Sequence, residues 1–142
     1  MIYFLDTSAL VKRYFTEAGS AMVRGLFSRR RQVAVSRLAY AEVVAASARR
    51  QREGTLSPNV HERILERLAD DLSTFIVVEV RQATLSPVQG LCARHPLRAY
   101  DAVQLAAALV LSQSGSAIDF WTTDRALRLA ARAEGLRATE VG

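Results

Sequence analysis

The sequence predicts an α/β fold, a parallel sheet with helices on both faces, in a single domain spanning residues 1–142. Three observations predict it. Candidate strands and candidate helices alternate along the chain, the order that builds parallel sheets through helical crossovers. The strand candidates are continuous apolar runs, as in strands buried on both sides. The 142 residues are 50% hydrophobic and 23% charged, globular proportions at the length of one domain. A chain of this size buries roughly two thirds of its unfolded surface, enough for a core without covalent staples.

Met1–Leu5 is apolar and aromatic and runs into Asp6-Thr7-Ser8. That pattern is a buried strand delivering Asp6 to its carboxyl end. Thr7 or Ser8 is placed to cap a short helix over Ala9–Tyr14. Gly19 precedes a second helix, Ser20–Arg30, and Gln32–Val35 makes a short strand. Leu38–Arg52 is an Ala-rich helix that Gly54 ends. Ser57-Pro58 supplies a cap and a proline for the opening of a helix that runs to about Ser73. Phe75–Val80 (FIVVEV) is β-branched and reads as a strand. Gln82–Ala93 reads as one helix, and Pro96 punctuates the chain after it. Arg98–Ser112 is a long apolar helix, followed by a loop, Ser112–Ala117 (SQSGSA). Ile118–Thr122 is a strand, Arg125–Glu134 a helix ending at Gly135, and Arg137–Glu140 a last short strand. There is no internal repeat, low-complexity stretch or linker.

Charge and cysteine content narrow the function classes. Net charge is +5, and Lys12 is the only lysine among 19 basic residues. Arginine suits planar, bidentate phosphate contacts, and an Arg-favouring genome gives the same bias. On either reading the protein attracts a polyanion or an acidic partner. The run Ser28–Arg31 reads as a solvated helix end, with an RNA contact as the alternative. A single cysteine, Cys92, excludes an internal disulfide and a CxxC metal pair, and it reads as a small buried residue. The apolar start is short, lacks a basic flank and is interrupted by Asp6, so no signal peptide is expected. The best apolar run, Ala102–Leu111, includes Gln104 and is too short to span a membrane. A cytoplasmic location is expected.

Open α/β sheets bind ligands beyond the carboxyl ends of their strands. Asp6 follows the first strand, Asp124 follows Ile118–Thr122, and Asp101 opens the apolar helix Asp-Ala-Val-Gln-Leu. Glu42 is the only charge within Leu38–Ala48. Each has an ordinary explanation. Asp6 could cap a helix, Asp101 and Asp124 could favour helix dipoles, and Glu42 could be a surface glutamate. Set in apolar surroundings and able to converge on one sheet edge, they point instead to a shared site. Carboxylates gathered at one place repel. A hard divalent cation relieves this, and all-oxygen ligation selects Mg²⁺ or Mn²⁺ over zinc. Such an ion can activate water and stabilise a phosphodiester under in-line attack; one or two ions would serve.

Other chemistries fit less well. His61 and His95, read as surface or loop residues, form neither HExxH nor a paired-ligand spacing. No Gly-rich phosphate loop or GxSxG elbow occurs. Asp6-Thr7-Ser8 lacks the second aspartate of an aspartyl-phosphate hydrolase.

Four segments resemble one known family in order and over essentially the whole chain. MIYFLDTSALVKRYF resembles the opening of PIN-domain nucleases, in particular VapC-type toxins of bacterial toxin–antitoxin pairs. VSRLAYAEVVAA, with Glu42, resembles the second motif. RAYDAVQLAAAL, with Asp101, resembles the third, and WTTDRALRLAARAEGL, with Thr122 and Asp124, the fourth. The resemblance implies a three-layer α/β/α PIN fold with a parallel sheet of about five strands. It implies a metal-dependent endoribonuclease in which Asp6, Asp101 and Asp124 are direct or water-mediated metal ligands and Glu42 completes the cluster. Ser8 and Thr122 would orient the carboxylates by hydrogen bonding. It also implies a homodimer, an acidic VapB-like antitoxin that masks the site, and an RNA substrate. Asp119, a fifth acid inside a strand, is expected to be peripheral.

A PIN-fold nuclease for RNA processing, a noncatalytic RNA-binding or scaffold protein, and a small-molecule phosphatase remain as alternatives. Arg13, Arg37, Arg98 and Arg125 lie beside the motifs as candidate phosphate contacts, with surface or antitoxin contacts as their other reading.

Overall fold

The computed structural model describes residues 1–142 throughout. Five strands, β1 (Ile2–Leu5), β2 (Val33–Ser36), β3 (Ile76–Val78), β4 (Ile118–Thr122) and β5 (Arg137–Glu140), alternate with eight helices. The helices are α1 (Thr7–Tyr14), α2 (Ser20–Ser28), α3 (Arg37–Arg52), α4 (Pro58–Leu72), α5 (Gln82–Leu85), α6 (Val88–Arg94), α7 (Ala99–Ser112) and α8 (Arg125–Ala133). All strand pairings are parallel, in the order β3-β2-β1-β4-β5. The three-layer architecture anticipated from the alternating apolar runs is therefore present.

Side chains of each strand alternate between the two faces of the sheet, which splits the core in two. Ile2, Phe4, Ala34, Ile118 and Phe120 face Leu91 of α6, Leu105 of α7 and Leu127 of α8. Phe4 and Phe120, register partners on β1 and β4, stack with centroids 5.6 Å apart. Leu5, Val33, Val35 and Trp121 face Leu10 of α1, Val23 of α2, Val43 of α3 and Leu68 of α4. The earlier helices thus cover one face and the later ones the other. From β1 the chain moves outward to β2 and β3, then crosses back to β4 and β5. The reversal lies between β1 and β4, the kind of switch point where such sheets open a crevice. No helix is long and apolar enough to cross a membrane.

Several sequence expectations are corrected. The Gln82–Ala93 segment is two helices, because Pro87 has no N–H to continue the ladder; Ser86 N–H instead reaches Ala83 O at 3.4 Å. Cys92 is exposed. Leu91 is the buried residue of α6, and one step along a helix rotates the next side chain by about 100° away from it. Helix α1 starts at Thr7, so its cap is Asp6, whose carboxylate accepts from Ala9 N–H at 2.9 Å. The two hydroxyls expected to cap it are used elsewhere. By contrast Ser57 caps α4 ahead of Pro58 as anticipated, and Gly54 follows α3 with φ +79°, a conformation that costs other residues.

Candidate active site

At the carboxyl ends of β1 and β4 lies an open cleft of about 320 Å³, lined by Asp6, Thr7, Ser8, Glu42, Tyr100, Asp101, Gln104, Thr123 and Asp124. The four acids read as one site from the sequence, Asp6, Glu42, Asp101 and Asp124, all reach it. They come from different elements: Asp6 from the end of β1, Glu42 from α3, Asp101 from the first turn of α7, and Asp124 from the cap of α8.

Asp6 is the anchor. Leu5 pairs with Trp121 in the sheet, and Asp6 N–H donates to Trp121 O at 3.1 Å. Its side chain is 4% exposed. One carboxylate oxygen accepts from Ser8 Oγ at 2.6 Å and from Ala9 N–H. The other accepts from Thr122 Oγ1 at 2.6 Å. The same two hydroxyls accept in turn: Ser8 Oγ from Thr123 N–H and Thr122 Oγ1 from Asp124 N–H, each at 3.0 Å. Ser8 and Thr122 therefore orient Asp6 and also tie the β4–α8 turn to it. Asp124 caps α8 by accepting from Leu127 N–H at 2.8 Å, which leaves its second oxygen for the cleft.

Glu42 is held by residues that the sequence reading did not single out. Its Oε1 accepts from Thr7 Oγ1 at 2.7 Å and Gln104 Nε2 at 3.1 Å, and Gln104 Nε2 also donates to Thr7 Oγ1 at 3.0 Å. Gln104 is 2% exposed and its Oε1 has no partner. A buried acceptor left open in a cleft wall is costly unless something else supplies the donor. The available signal was a lone polar residue in the apolar run of α7.

The acids are unbalanced. No Arg or Lys forms an ion pair with Asp6, Glu42, Asp101 or Asp124. Burial pushes the Asp6 carboxyl up to about 6, against the pull of its hydrogen bonds from Ser8, Thr122 and Ala9 and with the Asp101 charge adding to the rise. Asp101 is raised too, first by burial and then by the charge of Asp124, with Glu42 contributing and Arg98 opposing. No three His, Cys, Asp or Glu side chains are drawn together as a preformed metal cage. The carboxylates instead line the walls of a space several water volumes across, a set of hard oxygen donors with negative charge left over. That donor set suits a partly hydrated divalent cation.

The remaining candidates divide. Arg13 is spent on Asp71, with Nε and Nη2 donating at 2.7 and 3.0 Å. Arg37 is spent on Glu79. Neither is a free phosphate contact. Arg98 and Arg125 are exposed and in no ion pair. Asp119 lies outside the cleft, buried on β4, where it accepts from Thr139 Oγ1 at 2.8 Å and pairs with Arg137 of β5 at 3.4 Å. It fastens the edge strand. His61 and His95 are half-buried and engaged with Ser47 and Glu134, and Arg29–Arg31 are exposed beyond α2.

A parallel α/β sheet with an acid-lined cleft at its switch point defines a class of carboxylate-site proteins, and comparison with known proteins narrows it. Residues 3–133 match the PIN domain family. Ribonuclease VapC45 of Mycobacterium tuberculosis (strain CDC 1551 / Oshkosh) is 37% identical over 138 residues, 96% of this chain and 93% of that protein. VapBC2 of Rickettsia felis, solved on a DNA fragment from its promoter, shares the fold at a TM-score of 0.69 and 15% identity over 100% of both chains. A toxin–antitoxin complex from Klebsiella pneumoniae does so at 0.59 and 20% identity, with 86% of each chain covered. The chain belongs to the PIN-domain family, in its VapC group.

Proposed function

We propose that this protein is a divalent-metal-dependent endoribonuclease that hydrolyses phosphodiester bonds in RNA, and that it is the toxin of a toxin–antitoxin pair. The observation that carries this reading is the convergence of Asp6, Glu42, Asp101 and Asp124 on one cleft without a pairing cation. The name of its relative at 37% identity, a ribonuclease, supports RNA as the substrate.

In this reading Asp6, Asp101 and Asp124 hold Mg²⁺ or Mn²⁺ directly or through water, and Glu42 completes the set. A bound ion of this kind supplies Lewis acidity and an activated water for in-line attack on phosphorus. Ser8 and Thr122 hold Asp6 in a single rotamer, and Thr7 and Gln104 do the same for Glu42, so little reorganisation accompanies binding. Arg98 and Arg125, free of carboxylate partners, attract the phosphates on either side of the scissile bond.

The partners proposed are an acidic VapB-like antitoxin that covers the cleft, and a second copy of this chain in a homodimer; the location proposed is the cytoplasm. The toxin–antitoxin complex of similar fold supports the first of these.

The test is cleavage of total cellular RNA by purified protein with Mg²⁺ or Mn²⁺ and with EDTA, beside Asp6→Asn and Asp101→Asn. Discrete fragments that need the metal and vanish in both variants support the reading. Equal activity in the variants removes the site assignment, and no cleavage of any RNA class leaves a noncatalytic RNA-binding protein.

A further inference from the structure

We propose that Tyr100 and Arg98 form a nucleotide subsite at the mouth of the acid cleft. The Tyr100 ring stacks on one unpaired base of the substrate RNA, and the Arg98 guanidinium takes a phosphate beside that base. This rests on the ribonuclease reading and deepens it, by naming single-stranded RNA next to the scissile bond as what the cleft receives.

Tyr100 is the one hydrophobic residue in the cleft lining, and it is 42% exposed. A large ring left so far in water among carboxylates is not explained by core packing. Its neighbours restrain it: the hydroxyl accepts from Arg98 Nη1 at 2.5 Å, and Arg98 Cζ lies 5.9 Å from the ring centroid. Arg98 is itself exposed and forms no ion pair. Its side chain is not used to cap α7 either. The structure thus holds a flat π-face and a guanidinium with no carboxylate partner side by side at the rim of a cleft whose floor repels phosphate.

Nucleic-acid chemistry fits that pair. Every base has a face that stacks on an aromatic ring, worth about 1–3 kcal/mol per base and tolerant of sequence. A base inside a duplex has both faces covered, so the platform selects an unpaired one. The guanidinium offsets the repulsion that the acids impose on the backbone.

The experiment measures binding of fluorescein-labelled pentauridylate in Mg²⁺, with all variants placed on the Asp6→Asn background so that RNA is not cut. Tyr100→Ala is expected to weaken binding roughly 5- to 150-fold, the range the stacking energy implies, while Tyr100→Trp retains it. The indole at position 100 is expected to lose emission as the oligonucleotide binds, whereas buried Trp121 alone does not respond. Tyr40→Ala, equally exposed at 44% but outside the cleft, leaves affinity unchanged. Arg98→Ala lowers the salt slope of binding by about one. An abasic ribose-phosphate pentamer is expected to bind weakly and to ignore Tyr100→Ala.

Unchanged affinity in Tyr100→Ala, or an equal loss on the abasic pentamer, overturns the subsite. If unmodified protein still cleaves total RNA in that case, the ribonuclease reading stands without it. If unmodified protein neither binds nor cleaves any RNA, both fail together.

Discussion

Two buried aspartates of this protein are treated in opposite ways. Asp71 on α4 is 8% exposed and receives the fork of Arg13 and the hydroxyl of Tyr14, the latter at 2.7 Å. Arg13 in turn lies 3.6 Å over the Phe27 ring. Asp6 is as deeply buried at 4%, yet its donors are two hydroxyls and a backbone N–H, all neutral. Asp71 is paired inside the fold, and its charge binds α1 to α4. Asp6 is oriented but not neutralised, since none of its donors is charged. A buried carboxylate with many donors and no cation is the more telling sign of a site.

The sharpest way to break this contrast is to remove each charge. Asp6→Asn is expected to cut RNA cleavage on the order of 10³-fold or more, the several kcal/mol that metal-assisted chemistry supplies, while the metal-free protein melts no lower than the original. Asp71→Ala is expected to do the reverse. It strands Arg13 and costs about 3 kcal/mol of stability, read in urea unfolding, with cleavage per folded molecule unchanged. Loss of cleavage by Asp71→Ala at full folding would put Asp71 into the site. A smaller effect is expected from the groups that only orient. Thr122→Val or Gln104→Leu lowers activity or metal affinity roughly 10- to 100-fold, measured by Mg²⁺ titration of cleavage.

The smallest effect is a slope. The folded state holds the Asp6 proton up to about 6, against an ordinary value of 3.8. Between those values the folded chain binds more protons than the unfolded one, so metal-free stability falls as pH rises through that window. Thermal melts in EDTA from pH 4 to 7 are expected to show the fall in the original protein and a flatter profile in Asp6→Asn. Mg²⁺ competes with the same proton, so its stabilising effect grows above about pH 6. A metal-free protein whose stability rises across that window would remove the idea that Asp6 is left uncompensated.

Much of this was legible in the sequence because the signals are local. Runs such as Met1–Leu5 and Ile118–Thr122 mark strands by composition alone, and an acid directly after such a strand has one place to go. Ser8 and Thr122 were reached through resemblance, and their geometry agrees with that. What stayed hidden depends on contacts between distant segments. Gln104 and Glu42 are 62 positions apart, and only the packing of α7 near α3 turns a polar blemish in an apolar helix into a brace. Arg13 and Arg37 stood beside the motifs, but their carboxylate partners lie 58 and 42 positions away. Pro87 was readable as a break, since the missing N–H is a local fact. Cys92 was misplaced because its apolar character says nothing of which side of a two-turn helix it occupies.

The central strand of the sheet, β1, is made well before its neighbour β4. Thr122 grips Asp6 across 116 positions of chain. During synthesis Asp6 therefore emerges early and waits, with nothing to orient it, until β4 has docked against β1. A chain that stops short of that point carries Asp6, Glu42 and Asp101 but has no assembled cleft. Under the ribonuclease reading proposed above, an unfinished polypeptide has no site with which to cut RNA, and that delay is a safeguard written into the strand order.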